Sequence, residues 1–313
     1  MENCENVVQE ELVTTNDVAS EMTTIEVEVP KCSLEFKPRP KVELIIKWIM
    51  FTAAITGMAL LSAFYPVFGN GLLIVVPSIL TLIFAKPVFF EKLKLATLLT
   101  LRILVIFAVL FNFGGIYAQY IVMIAMMVNI LEATFTDFKH KQYFNFVSGL
   151  LLAVGVVFMR GCWGGVAGGP GVDYNYYFAV GYNNAATITW VLAYTIWNWI
   201  FVTGEFSASV SLMHTGFLIS PLIASLATLG GLGFPGGFGI WYLARANSLS
   251  IGGYMQISCK NWFEREFYNK KFEKFVAWTH KNIVQAVLML ICIGLITYTI
   301  VVGAMNGFIG FKP

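Results

Sequence analysis

Val128-Asn129-Ile130-Leu131-Glu132-Ala133-Thr134-Phe135-Thr136-Asp137-Phe138 closes an apolar run that begins near Ala118. The run is long enough for a membrane-spanning helix and carries a carboxylate, Glu132, inside it. Asn129, Glu132 and Thr136 fall at i, i+3 and i+7 and so share one helix face. An ionisable group at that depth costs several kcal/mol unless it is paired, hydrated or protonated. The rest of the chain is therefore expected to supply company for Glu132 at its own level.

Composition agrees with a membrane setting. Apolar residues make up 58% of the chain and charged ones 12%, and the mean hydropathy is +0.72; soluble domains are far more polar. The apolar residues come in blocks of about twenty, the length that crosses a bilayer core of roughly 30 Å. These blocks predict an all-α polytopic bundle of about nine spans, near 42–66, 71–90, 95–117, 119–137, 143–160, 180–203, 207–229, 238–259 and 276–304. The eighth segment holds Arg245, Asn247, Ser248, Gly252 and Gly253, so it reads as a span that is broken or re-entrant.

The termini and loops set the expected orientation. Residues 1 to about 30 carry eight Asp or Glu and no Lys or Arg, which predicts a disordered acidic tail. No basic start precedes an apolar core there, so it does not read as a signal peptide. Lys31, Lys37, Arg39 and Lys41, with Pro38 and Pro40, form a basic collar before the first span. The expected division is a tail over 1–41, a helical domain over 42–306 and a short end over 307–313. With the amino terminus inside, the inner loops hold Lys92, Lys94, Lys139, Lys141, Lys260, Arg265, Lys270, Lys271 and Lys274, and the outer loops little beyond Arg160. That asymmetry predicts a cytoplasmic amino terminus.

Helical rise places several polar groups at similar depth. Arg102 and His214 lie roughly 10 Å, and Glu132 and Asn198 roughly 8 Å, from the inner ends of their spans. One reading pairs Arg102 with Glu132 and completes the hydrogen bonding with Asn198 and His214. The other makes Asn129, Glu132, Arg102, Asn198, His214 and Asp137 an intramembrane proton or ion site. An outer vestibule is expected from Arg245, Asn183 and Asn184, framed by the Gly-rich stretches Gly161–Gly171 and Gly230–Gly239. Neither stretch has the ending of a phosphate-binding loop.

Other chemistries are disfavoured. The cysteines Cys4, Cys32, Cys162, Cys259 and Cys292 show no metal-ligand spacing, and His140, His214 and His280 lie far apart. No metal and no cofactor are expected. Ser207 and Ser211 precede His214 on one face, but hydroxyls in spans usually serve helix packing. A net charge of +2 is too small to suggest nucleic acid. The expected partners are the lipid bilayer and a small ion or solute, and an oligomer is compatible with the sequence.

The segment Asn129-Ile-Leu-Glu-Ala-Thr-Phe-Thr-Asp-Phe138 resembles one in a family of bacterial multi-pass membrane proteins of unknown function. Tyr194-Thr-Ile-Trp197-Asn198-Trp199 and Trp241-Tyr-Leu-Ala-Arg245-Ala246 are similar to that family's Trp-Asn and Trp-x-x-x-Arg-Ala segments. The likeness covers about 120–260; it departs where the family often has an acid before Trp-Asn, since Thr195 and Ile196 stand there. The resemblance implies a membrane location and singles out Asn129, Glu132, Asp137, Trp197, Asn198 and Arg245. The function expected is a channel or secondary transporter. The alternatives are a membrane-embedded enzyme acting on a lipid head group and a non-catalytic assembly subunit.

Overall fold

The computed structural model describes residues 38–85, 87–111, 115–158, 163–164, 180–181, 185–229 and 237–305. The acidic tail, Arg160, the vestibule residues Asn183 and Asn184, and most of the two Gly-rich corners lie outside the described residues.

Pro40 sits immediately before α1 (Lys41–Phe64), whose first turn holds Glu43, where the helix dipole favours an acid. A rod from Pro66 to Phe84 follows, built of α2 (Pro66–Asn70), a π-helical turn (Gly71–Val75) and α3 (Val76–Phe84). Then come α4 (Phe89–Phe111), α5 (Gly115–Lys139), α6 (Tyr143–Phe158), α7 (Ala185–Glu205) and α8 (Ala208–Ala227). A 3-10 turn (Gly237–Ile240) leads into α9 (Trp241–Glu266), and α10 (Lys270–Thr279) and α11 (Asn282–Met305) complete the described helices. Between α6 and α7, Trp163–Gly164 (β1) pairs antiparallel with Val180–Gly181 (β2), a ladder of two residues a side.

Helices thus occupy the nine predicted segments, but fewer qualify as spans. Among the described residues five are long and apolar enough to cross a membrane: α1, the Pro66–Phe84 rod, α7, α8 and α11. That is fewer than the nine expected. α6 has 16 residues, about 24 Å of helix, which is less than a bilayer core. α9 carries Arg245, Asn247, Ser248 and Ser250 in its first half. α4 and α5 have 23 and 25 residues and carry Glu91, Lys92 and Lys94 near the start of α4 and Glu132, Asp137 and Lys139 toward the end of α5. The eighth segment is not broken at depth: α9 is continuous apart from Cys259, which leaves helical geometry at φ −123°. The expected ninth span is divided at His280 and Lys281 into α10 and α11.

Two apolar cores share α9. One gathers Trp190, Tyr194 and Trp197 of α7, Leu152 of α6, Ile296 of α11 and Trp241 of α9. The other gathers Ile55 of α1, Leu95 of α4, Phe217 of α8 and Ile251 and Phe263 of α9. The outward faces are also apolar: Ile45, Ile49 and Met50 on α1 and Ile283, Leu290 and Val301 on α11 are all exposed. A helix apolar all round suits a lipid solvent. In lipid the association of helices depends on packing and hydrogen bonds, which favours small residues at contacts. Gly149 is such a residue: a methyl group there would meet Thr134 Oγ1 and come within 2.6 Å of Trp197 Nε1.

Contacts at one end of the bundle fix the helix directions. Arg39 N–H donates to Tyr268 O at 3.1 Å. His140 Nδ1 lies 3.3 Å from Glu205 Oε2, and Thr203 Oγ1 lies 2.9 Å from His280 Nε2. The start of α1, the α5–α6 turn, the end of α7 and the α9–α10–α11 connections therefore sit together. Glu266 anchors this end, taking Arg39 Nη2 at 2.5 Å, Lys47 Nζ at 2.6 Å and Arg265 Nε at 3.1 Å.

Two outcomes are expected. Gly149→Val should destabilise the protein by about 1–3 kcal/mol through overpacking, read as a lower melting temperature in detergent; an unchanged melt would contradict the close α5–α6–α7 contact. The hydrogen bond from Lys47, then that from Arg265 and the nearby charges, hold Glu266 below the usual carboxylate range. The unfolded chain then binds more protons in acid. The stability this residue contributes is complete above its ordinary value of 4.5 and falls as pH drops through the lowered folded value. Hydrogen exchange of residues 41–47 should accelerate over that interval in the wild type and show no such pH step in Glu266→Gln.

Candidate functional site

Pro221 lies inside α8 and has no N–H to donate back to the carbonyl of Phe217, four residues earlier. That freed oxygen is buried and needs donors. It receives Arg245 Nη1 at 3.3 Å, Ser248 Oγ at 3.0 Å and Ser220 Oγ at 3.3 Å. Arg245 completes its fork on α7: Nη2 donates to Asn198 Oδ1 at 3.1 Å and Nε to the Tyr194 hydroxyl at 3.3 Å. Tyr194 and Asn198 are one helical turn apart, so one face of α7 presents both. The guanidinium carbon also lies 5.6 Å from the Tyr194 ring centroid, within cation–π range. Trp241 packs edge-on against Tyr194 at 5.0 Å, and Trp190 stacks on it at 5.4 Å.

A second arginine meets α9 on its other flank. Asn247 is two residues beyond Arg245, roughly 200° round the helix. Arg102 of α4 donates from Nη1 to Asn247 Oδ1 at 2.6 Å and from Nε to Ser250 Oγ at 3.0 Å, with Asn70 Oδ1 at 3.4 Å from Nη1. The two amides are themselves held: Asn247 Nδ2 donates to Ala59 O at 3.1 Å and Asn70 Nδ2 to Pro66 O at 2.8 Å. Arg102 is 5% exposed and Arg245 7%. Among the described residues no carboxylate lies within ion-pair distance of either. Two buried cations are solvated by neutral dipoles alone.

This arrangement corrects the expected layer. Glu132 is exposed on α5 and does not meet Arg102. The inward positions of α5 are Ile130, Thr134 and Asp137, while Asn129 and Thr136 are half-buried. The shared face of Asn129, Glu132 and Thr136 is real, but it is the wrong face. Asp137 is the buried acid; it accepts Asn145 Nδ2 at 2.7 Å, and that amide also reaches Trp197 O at 3.2 Å. Asn198 belongs with Arg245 rather than with Arg102. His214 meets Gln256 Oε1 at 2.9 Å and stacks on Phe206. Ser211 Oγ is committed to the carbonyls of Val202 and Phe206, and Ser207 caps α8, so the Ser–His arrangement does not form. Arg245 is not on a vestibule surface; it lies in the core.

Sequence reasoning missed Asn70, Gln256, Pro221 and the Phe217 carbonyl. The proline was a legible signal, because a proline within an apolar run always frees one carbonyl. No protein-family model, curated protein or solved structure matches this chain.

Arg245→Met should leave Asn198 Oδ1 and the Tyr194 hydroxyl without this donor, at about 1–3 kcal/mol for each unsatisfied group, and lower the melting temperature in detergent. Arg245→Lys should recover only part of the loss, because an ammonium lacks the planar fork. A lysine variant as stable as wild type would show that the three-way contact is dispensable.

Proposed function

We propose that this is a multi-pass membrane protein that passes a small anion, as a channel or secondary transporter, with Arg245 and Arg102 as its cationic groups. The observation that carries the reading is the pair of buried guanidiniums with no carboxylate partner among the described residues. Charge inside a membrane is costly and marks ion or solute pathways more often than stability. A passing anion would supply the compensation that the fold withholds. The version in which a proton couples through Glu132 is dropped, since that side chain faces outward. Asn198 and Arg245, two of the residues singled out by the family resemblance, are hydrogen-bonded to each other. The nine-span topology with a cytoplasmic amino terminus belongs to the same proposal. The gathering of Arg39, Lys41, Lys139, Lys141, Lys260 and Arg265 at one end of the bundle supports it.

A specific observation favours a second reading. Arg245 joins α7, α8 and α9, and Arg102 joins α4, α9 and Asn70 of α2. On that reading the arginines tie helices together in an assembly subunit that transports nothing.

The test is flux of chloride, nitrate, phosphate and small carboxylates from proteoliposomes. Anion passage predicts flux in the wild type and at least a tenfold loss in Arg245→Gln and Arg102→Gln, with both variants still monodisperse. No flux of any of these anions through well-folded wild type, together with lowered melting temperatures in both variants, would select the second reading.

A further inference from the structure

The helix α10 is ten residues long, about 15 Å, and cannot cross a bilayer. It is nonetheless well built. Asn269 caps it, accepting the N–H of Lys271 at 3.0 Å and of Phe272 at 3.2 Å. It connects the end of α9 to the start of α11, so it lies where the bundle leaves the membrane.

Its three faces differ in chemistry. Val276 and Thr279 are buried against the bundle, with Phe272 edge-on to Trp199 at 6.2 Å. Lys270 and Lys274, one turn apart, form an exposed cationic stripe that Lys271 widens and Lys281 extends. Between that stripe and the docked face lie Phe275 and Trp278, 48% and 50% exposed, with rings stacked at 5.8 Å. Glu273 is the one acid on the helix. Exposed aromatics beside lysines suit the boundary between headgroups and acyl chains, where rings insert and ammonium groups reach phosphate.

We propose that α10 is an interfacial platform for anionic phospholipid, with Lys270, Lys271 and Lys274 on the headgroup phosphates and Phe275 and Trp278 among the upper acyl carbons. Water alone gives no reason to expose two stacked rings. A purely zwitterionic surface gives none for four lysines. The platform depends on the chain's residence in a membrane and not on anion passage, so loss of flux leaves it untouched.

The test uses the full chain purified in a neutral detergent. It is titrated separately with short-chain phosphatidylglycerol, short-chain phosphatidylcholine and inorganic phosphate, with bound lipid counted by native mass spectrometry and stability followed by thermal melting. Phosphatidylglycerol is expected to bind at least tenfold tighter than phosphatidylcholine and to raise the melting temperature. High salt should erase that preference without any mutation, because exposed charges are screened. K270Q/K271Q/K274Q should lose the preference while melting like wild type in lipid-free detergent, and K139Q/K141Q should keep it. Equal binding of both lipids, a preference retained in the triple variant, or a full shift from phosphate alone would overturn the proposal.

Discussion

A guanidinium cannot shed its charge, so an apolar bundle that contains one must bring oxygen to it. Two arginines impose that requirement here, and much of the polar interior is arranged around them. The Phe217 carbonyl is available to Arg245 because Pro221 cannot use it. Asn198 and Tyr194 arrive together because α7 repeats every 3.6 residues. Asn247 and Ser250 meet Arg102 because they stand one turn apart on the opposite flank of α9. The most polar long helix is consequently enclosed through its first half, with Trp241 to Arg245 all buried. Its apolar neighbours face outward, the reverse of a protein dissolved in water.

The positions of the helices were legible from block length alone. The inward face of α5 was not. Periodicity shows which residues share a side; it names the buried side only when the solvent is polar. On α5 both sides are largely apolar, so Glu132 and Asp137 were equivalent by pattern, and the structure buries only the second. Partnerships were equally hidden. Arg102 and Asn247 are separated by 145 residues, and a short connection between α4 and α5 made Glu132 look the cheaper partner. Arg245, Asn247, Ser248, Gly252 and Gly253 suggested a break in α9, whereas the first three hydrogen-bond to neighbouring helices while the helix continues.

Charge is distributed by depth as well as by element. At one end, Glu266 gathers Arg39, Lys47 and Arg265, tying the entry of α1 to the exit of α9. Here acids and bases neutralise one another beside water, where pairing is inexpensive. Inside the bundle the same kinds of cation have, among the described residues, amides, hydroxyls and carbonyls as partners. The contrast between a neutralised rim and an unneutralised interior is the main electrostatic property of the molecule.

The wide turn at Gly71–Val75 has a consequence for how this chain tolerates changes in length. A π turn takes in one residue more than an α turn, so everything after it is rotated by about 100°. That phase shift lets Thr81 meet Ser258 at 2.7 Å and keeps Ser78 buried. Removing a single residue from the turn would make the rod more regular and at the same time swing the Thr81 hydroxyl away from Ser258 of α9. The irregularity is a phase correction: insertions and deletions are harmless in a loop, but at this point each residue gained or lost re-aims a whole helix.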